Sequence, residues 1–252
     1  MHHSQPSGLK SSAEIRIGTS GWHYKHWLGN FYPQKMPASR MLAYYYEKFD
    51  TVELNNSFYC LPRKPSLAAW RDSTPANFCF AVKGSRFLTH MKKLKDPEQG
   101  IMRFFDAVDV LGAKLGPVIF QLPPQWELNY DRLETFLKLL PREHRYAFEF
   151  RNPTWNVPPV LDLLIRHNAA YCIFDLAGYH SPIEVTADFV YVRLHGPGGK
   201  YQGTYSDAII EQWAKRIETW RRTLKGVFIY FDNDEAGYAP RDALRLKALA
   251  QA

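Results

Sequence analysis

The chain has 252 residues and a formal net charge of +7; 46% of its residues are hydrophobic and 15% are aromatic. This length and composition suit one large α/β domain with a substantial core and argue against wholesale disorder. Because the chain has neither about 18 consecutive apolar residues nor an N-terminal apolar signal segment, we expect a cytoplasmic protein without a membrane span.

The chain is predicted to start with a disordered tail, residues 1–12, followed by one domain over residues 13–252. In that domain, short β-branched or aromatic runs alternate with longer segments of helical period, which is typical of successive βα units. The predicted strands are 14–18, 51–55, 78–83, 117–122, 146–151, 170–175, 189–195 and 227–232. The predicted helices are 38–48, 64–73, 97–111, 130–140, 157–166, 206–224 and 240–250.

Eight strands in this alternation predict an α/β fold, a (β/α)₈ barrel of the TIM type. No clear helix lies between the strands 170–175 and 189–195, so we expect one irregular crossover. The structural alternative is a doubly wound open sheet.

Alternate side chains of each strand are expected to face the barrel axis. In strand 146–151, for example, Phe148 and Phe150 suit the helix layer, which leaves Glu149 and Arg151 facing inward. The same division places polar side chains inside at the carboxyl end of nearly every strand. They are Ser20, Glu53, Asn55, Lys83, Gln121, Glu149, Arg151, Asp175, Arg193, His195 and Asp232. Because barrel enzymes carry their chemistry at this face, it is the predicted active site.

Several motifs spread along the chain resemble those of the YecE-like family, also called "domain of unknown function 72". The motifs include Gly18-Thr19-Ser20-Gly21-Trp22, Val52-Glu53-Leu54-Asn55, Phe120-Gln121-Leu122-Pro123-Pro124, Phe148-Glu149-Phe150-Arg151, Tyr191-Val192-Arg193-Leu194-His195-Gly196 and Phe231-Asp232-Asn233-Asp234. The resemblance implies a barrel of the triosephosphate isomerase type and implies no particular reaction. Relatives are expected to have Asn where this chain has Asp232, which leaves the role of Asp232 open.

Three residues are the candidate catalytic groups. Glu53 and Glu149 could form a carboxylate pair for acid–base work, or Glu149 could form an ion bridge with Arg193 or Lys83. Lys83 could transfer protons or form a Schiff base, and neighbouring arginines would then lower its pKa. An ion pair of Lys83 with Glu53 or Glu149 is the alternative that we favour.

The remaining candidates would bind the substrate. Arg151, Arg193 and His195 would hold negative charge, and the Gly196–Lys200 loop could cradle a phosphate. An aromatic rim could stack on sugars or bases, or could pack the loops over the barrel. It consists of Trp22, Tyr24, Trp27, Phe31, Tyr32, Phe58, Tyr59, Trp126 and Trp155. Ser20, Asn55, Gln121, Asp175 and Asp232 complete the predicted substrate site.

No cofactor is predicted. A divalent metal could bind among His195, Asp175, Glu149, Glu53 and Asp232, although no ligand-spacing motif supports one. Cys60, Cys79 and Cys172 are far apart and are interpreted as free thiols.

These features favour an enzyme, of hydrolase or lyase type, that acts on a small anionic, phosphorylated or sugar-like substrate. The alternative is a protein that binds or processes nucleic acid through a basic cleft rimmed by aromatic residues. The sequence leaves the oligomeric state open.

Overall fold

The computed structural model describes residues 13–251, so the predicted tail lies outside the described residues. The strands are β1 (Glu14–Thr19), β2 (Thr51–Leu54), β3 (Cys79–Lys83), β4 (Leu115–Leu122), β5 (Tyr146–Phe150), β6 (Ala170–Leu176), β7 (Tyr179–His180), β8 (Phe189–Leu194) and β9 (Gly226–Phe231). The α-helices are α1 (Ala38–Tyr46), α2 (Lys64–Ser73), α3 (Glu98–Val108), α4 (Tyr130–Leu139), α5 (Pro158–Arg166), α6 (Asp207–Trp220) and α7 (Tyr238–Gln251). None of these helices combines the length and the apolar composition that a membrane span requires.

The sheet curls into a nearly closed barrel. Its parallel strands follow the order β1-β9-β8-β6-β5-β4-β3-β2, so that β1 and β2 are the two ends of the sheet. These ends meet at a bridge between Ser20 and Glu53, where the Gly21 N–H donates to the Glu53 carbonyl at 2.8 Å. The predicted TIM-type barrel is therefore confirmed, and the open-sheet alternative is wrong.

The crossover from β6 to β8 contains no helix, which confirms the predicted irregularity. The short β7 instead folds back antiparallel on β6 and pairs His180 with Asp175. Further along, the Thr186 hydroxyl accepts from the Tyr171 N–H and donates to the Ala169 carbonyl, both at 2.7 Å. Hydrogen bonds thus hold this connection to β6 where a helix would otherwise pack.

Strand β4 begins at Leu115, two residues before the predicted start at Pro117. Its register with β3 shifts between Phe80 and Val82. Proline has no N–H for the ladder, and such irregularities are where sheets accommodate it. The sequence prediction missed that a strand could continue through this proline.

Side-chain alternation divides the apolar residues into two cores. Outward-facing residues such as Val190, Val192 and Leu194 of β8 belong to the large core between the sheet and the helices. Inward-facing Tyr191 belongs to a smaller core inside the barrel, together with Ala147 of β5. Two residues further along these strands, the inward-facing residues are the charged Glu149 and Arg193. The charged mouth of the barrel therefore lies directly above the apolar inner core.

Candidate active site

Arg193 of β8 lies at the centre of the barrel mouth, surrounded by three carboxylates. Its guanidinium donates twice to Glu53, from Nε to Oε2 at 3.0 Å and from Nη2 to Oε1 at 2.8 Å. Nη1 donates to Oε2 of Glu149 at 2.9 Å, and Nη2 donates to Oδ2 of Asp232 at 3.2 Å. Arg193 is only 1% exposed. A planar guanidinium with five N–H groups suits this role because it can bond several carboxylates at once.

Further hydrogen bonds surround this centre. The Tyr191 hydroxyl donates to Glu53 at 2.6 Å, and the Ser20 hydroxyl donates to the other oxygen of the same carboxylate. Arg151 donates from Nε to Glu149 and from Nη2 to Nε2 of His195 at 3.0 Å. We call this connected set the floor network. It consists of Ser20, Glu53, Glu149, Arg151, Tyr191, Arg193, His195 and Asp232.

The hydrogen bonds of the floor network indicate which nitrogen of His195 carries the proton. Because a guanidinium only donates, Nε2 of His195 accepts from Arg151, and in the neutral ring Nδ1 then carries the proton. Nδ1 lies 2.9 Å from Oδ2 of Asp232. Burial alone would raise the pKa of Asp232, but His195 and Arg193 lower it. Against the same effect of burial, Arg151 and Arg193 hold the pKa of Glu149 well below its ordinary value. Both carboxylates are therefore ionised at neutral pH.

The floor network brings most of the predicted polar residues together, but it pairs them with one another. Glu149 forms the ion bridge with Arg193 that was one of the two alternatives for it. Glu53 and Glu149 are fully buried, so in this arrangement they hold Arg193 and do not face a substrate. Arg193 and His195 are buried in the same way, which leaves Arg151 as the member whose side chain also lines the space above.

A cavity of about 600 Å³ lies above the floor network. Its lining carries four cationic side chains and a histidine, namely Lys83, Arg86, Arg151, Lys200 and His90. Aromatic residues, Gln121, two prolines and Leu176 line the rest of it, and among the described residues no aspartate or glutamate does. We call this space the mouth cavity, and its charge suits an anionic ligand.

Lys83, the last residue of β3, differs from the other buried charges of the mouth. Within residues 13–251 its ammonium makes no ion pair or hydrogen bond, and it lies 4.4 Å from the ring centroid of Phe58. The predicted ion pair with Glu53 or Glu149 is therefore wrong, because Arg193 and Arg151 occupy both carboxylates. Burial, and after it the charge of Arg193, lowers the pKa of Lys83 to about 8.

The other predicted binding residues are divided between three places. Gln121 of β4 and Tyr59, which is 77% exposed, line the mouth cavity. Trp22 and Asn55 line a separate cavity of about 240 Å³ on the β1–β2 side. Trp155 is buried, and its indole N–H donates to the Trp126 carbonyl at 2.8 Å. Trp155 is therefore part of the core and has no surface for a substrate.

The inward direction predicted for Asp175 is wrong. The inward parity of β6 is that of Ala170 and Cys172, which belong to the core inside the barrel. Asp175 is also level with outward-facing Leu194 of β8. Its carboxylate is buried on the outer side of the sheet, with His180 at 3.6 Å, and it takes no part in the floor network.

The aromatic rim mainly packs the loops. Trp27, Tyr32, Phe58 and Trp126 are buried, and of the rim residues Tyr59 is the one that is mostly exposed. This arrangement matches the interpretation that the rim seals the barrel top, and it offers no row of open faces on which bases could stack.

Several residues of the mouth cavity were not predicted from the sequence, among them Arg86, Phe174 and Tyr179. Arg86 follows β3 by three residues, and its position beyond a strand end was the available signal. Phe174 shares the inward parity of Cys172 and stacks 4.7 Å from the Arg151 guanidinium. Tyr179 reaches the cavity through the β6–β7 hairpin, which the sequence pattern does not indicate.

The Gly196–Lys200 loop does not offer all of its backbone N–H groups to a ligand. The Gly196 N–H donates to the Tyr205 hydroxyl at 2.9 Å, so it is not available to a phosphate. Lys200 of this loop does line the mouth cavity. Over residues 13–251, no group of three His, Cys, Asp or Glu side chains is arranged to hold a metal ion.

Comparison with known proteins adds the family. UPF0759 protein YunF of Bacillus subtilis is 28% identical over 258 residues, which cover 89% of this chain and 90% of that protein. UPF0759 protein YecE of Escherichia coli K12 is 27% identical over 140 residues, 55% of this chain and 49% of that protein. A crystal structure of a DUF72 family protein from Thermotoga maritima superposes with a TM-score of 0.87 at 26% identity, covering 95% of this chain and 100% of that one.

A DUF72 family protein from Enterococcus faecalis shares the fold, with a TM-score of 0.78 at 20% identity over 94% of this chain and 96% of that one. The family model described as "Protein of unknown function DUF72" matches residues 16–252, which include all of the barrel strands except the first two residues of β1, and every member of the floor network. The chain therefore belongs to the DUF72 family.

Proposed function

We propose that the protein is an enzyme of lyase or hydrolase type that binds a small anionic substrate in the mouth cavity and uses Lys83 as its reactive group. The observation that supports this most strongly is that Lys83, unlike the arginines of the floor network, has no carboxylate partner within residues 13–251. Its buried ammonium lacks a counter-ion within the described residues, and the adjoining cavity is lined by further cations. Burying an unpaired charge costs several kcal/mol, and an anionic ligand would supply the missing partner.

Arg151 is suited to orient that ligand. Its Nε is fixed by Glu149 and its Nη2 by His195, while the guanidinium lies against Phe174 at the edge of the cavity. A guanidinium held in this way presents its remaining N–H groups to a carboxylate or phosphate at little cost in side-chain entropy. The floor network would thus act by positioning Arg151.

Lys83 is suited to proton transfer near neutral pH, since its pKa of about 8 lies close to the operating range. Glu149 is less suited, because Arg151 and Arg193 hold its pKa well below the ordinary value. Glu53 is fully buried and bonded to Arg193, so it does not reach the mouth cavity. This distribution assigns the chemistry to Lys83 and the support to Glu53 and Glu149.

The test is a substrate screen with matched variants. The protein is incubated with a panel of phosphorylated and carboxylated metabolites and with a panel of neutral sugars, and consumption is followed by NMR. We expect consumption of an anionic compound that is lost in Lys83→Met and retained in Lys215→Met, an exposed lysine of α6. Consumption that survives Lys83→Met, or is confined to neutral sugars, would contradict the proposal.

A further inference from the structure

We infer that Lys83 forms a covalent imine with an aldehyde or ketone group of the substrate, which makes the substrate class a small anionic oxo compound. This inference rests on the proposed function and narrows it from any small anion to an oxo acid or a phosphorylated carbonyl compound. It also changes the role of Lys83 from proton carrier to nucleophile.

The surroundings of Lys83 meet the requirements of an amine nucleophile. Such an amine must be unprotonated, open to the substrate and free of competing hydrogen bonds. Lys83 lines the mouth cavity, and Nζ has no hydrogen-bond partner within residues 13–251. Nζ lies over the Phe58 ring. An aromatic ring attracts a cation much more weakly than a carboxylate does.

The floor network favours the neutral amine. Glu53 and Glu149 would keep Lys83 protonated if either bonded to it, but both bond to Arg193. The positive charge of Arg193 then acts on Lys83 in the same direction as burial, which is why its pKa falls to about 8. At pH 7 about a tenth of the molecules would carry the free amine, compared with a far smaller fraction for an ordinary lysine.

The proposed step balances without a co-reactant. The Lys83 nitrogen attacks the carbonyl carbon, a C–N bond forms, and the carbonyl oxygen takes up a proton to give a carbinolamine. The C–O bond then breaks and water leaves, carrying the carbonyl oxygen and the two hydrogens that the amine nitrogen has lost. The neutral imine nitrogen then takes up one proton from the solvent. The protonated imine withdraws electrons from the neighbouring carbon bonds, which is the property that a lyase needs.

The cations of the mouth cavity define the other end of the substrate. Arg86, Arg151 and Lys200 line the same space as Lys83. An anionic group bound by them would place a carbonyl on the same small molecule near the amine, because the cavity holds only a compound of metabolite size. The cations of the cavity therefore favour an anionic molecule, and the Lys83 amine requires that this molecule also has a carbonyl group.

Reductive trapping on the full-length chain tests this inference. The protein is treated with glyoxylate and cyanoborohydride at pH 7, and the modified lysine is identified by peptide mass mapping. We expect labelling at Lys83 to be on the order of 100-fold faster than at exposed Lys215, given the difference in free amine. Inorganic phosphate should slow labelling by competing for the cations, and propanal, an uncharged aldehyde, should label Lys83 more slowly than glyoxylate.

A variant and its control make the result decisive. Lys83→Arg keeps the positive charge but cannot form an imine, so it should lose this adduct while retaining its circular dichroism spectrum. Labelling spread evenly over exposed lysines, with no preference for Lys83, would overturn the imine. If an anionic metabolite is still consumed in a Lys83-dependent manner, the proposed function stands without the imine. If no anion is consumed and phosphate has no effect, both proposals fail.

Discussion

The floor network and the mouth cavity use the same kinds of side chain in opposite ways. In the floor network, Arg193 contacts Glu53, Glu149 and Asp232, so that each of these carboxylates has a guanidinium as a direct partner. In the mouth cavity, Lys83 is almost as deeply buried, yet it has no such partner in the described chain. Lys83 is therefore the better candidate for chemistry, because no ion pair within the described chain holds its charge.

The comparison also explains why the two regions depend on each other. If the floor carboxylates were not bonded to Arg193, they would be the nearest anions for Lys83 and would raise its pKa. The charge of each carboxylate does raise the pKa of Lys83, but each of these effects is smaller than that of burial and that of Arg193. Because the floor carboxylates bond to arginines, none of them is a direct partner of Lys83.

The largest expected effect comes from breaking the floor. Arg193→Met leaves three buried carboxylates without their common guanidinium. Removing one partner of a buried ion pair costs about 3–5 kcal/mol, so we expect the free energy of unfolding to fall by about 4 kcal/mol. Urea denaturation monitored by tryptophan fluorescence measures it.

A surface variant is the matched control for that experiment. Arg222, two residues beyond the end of α6, contacts Glu218 of that helix at 3.0 Å, and both side chains are solvent-exposed. Exposed ion pairs contribute little because water already solvates them, so Arg222→Met should leave the urea midpoint unchanged. Equal effects in the two variants would show that the floor network does not stabilise the fold.

The fold was predictable because its signals are local. Strand and helix periods are visible in the sequence, and parallel βα units bring the carboxyl ends of their strands to the same face. Alternation then placed Glu53, Glu149 and Arg193 together correctly. It misplaced Asp175 because the inward parity of β6 begins at Ala170, and a polar residue at the strand end was taken as inward.

The pairing of the charges was not predictable in the same way. Which carboxylate Lys83 would meet depends on distances across the barrel and on how far each side chain extends, and residue spacing contains neither. The reach of Arg193, which bonds to both glutamates, excluded the ion pair expected for Lys83. Tyr179 was missed for a related reason, since a two-residue hairpin in an irregular crossover leaves no periodic signal.

A smaller effect is expected in the pH dependence of stability, which reports on the missing partner of Lys83. The folded chain holds the pKa of Lys83 at about 8, because of burial and then Arg193, below the ordinary value of 10.5. Between these two pH values the unfolded chain binds a proton that the folded chain does not. The stability contributed by Lys83 is therefore fully present above pH 10.5 and is lost as the pH falls through 8.

The measurement is the unfolding free energy of the wild type minus that of Lys83→Met as a function of pH. We expect this difference to rise by up to about 3 kcal/mol between these pH values, since subtraction removes the titration of other groups. Lys215→Met should give a flat difference. A flat difference for Lys83→Met as well would mean that Lys83 is compensated after all, and the contrast with the floor would disappear.

The smallest effect concerns how Lys200, one of the cations that line the mouth cavity, is kept in place. The loop that carries Lys200 is held from below by Asp242 of α7, which is fully buried. This carboxylate accepts from the Thr204 hydroxyl at 2.7 Å and from the Tyr205 N–H at 3.0 Å. In Asp242→Asn an amide group replaces one acceptor oxygen, so we expect a loss of about 1–2 kcal/mol and faster hydrogen exchange at residues 200–205.

Asp207→Asn is the control. Arg245 donates to Asp242 at 2.7 Å and also contacts Asp207, which is exposed, so Asp207→Asn should leave that exchange unchanged. Asp242→Asn could speed exchange in the loop while β8 stays protected, and phosphate could then slow the labelling of Lys83 less than in the wild type. That result would mean that the hydrogen bonds between Asp242 and the loop backbone position the cations of the cavity. If exchange in β8 rises equally, the loop and the floor network form one cooperative unit, and the two regions could not have separate roles.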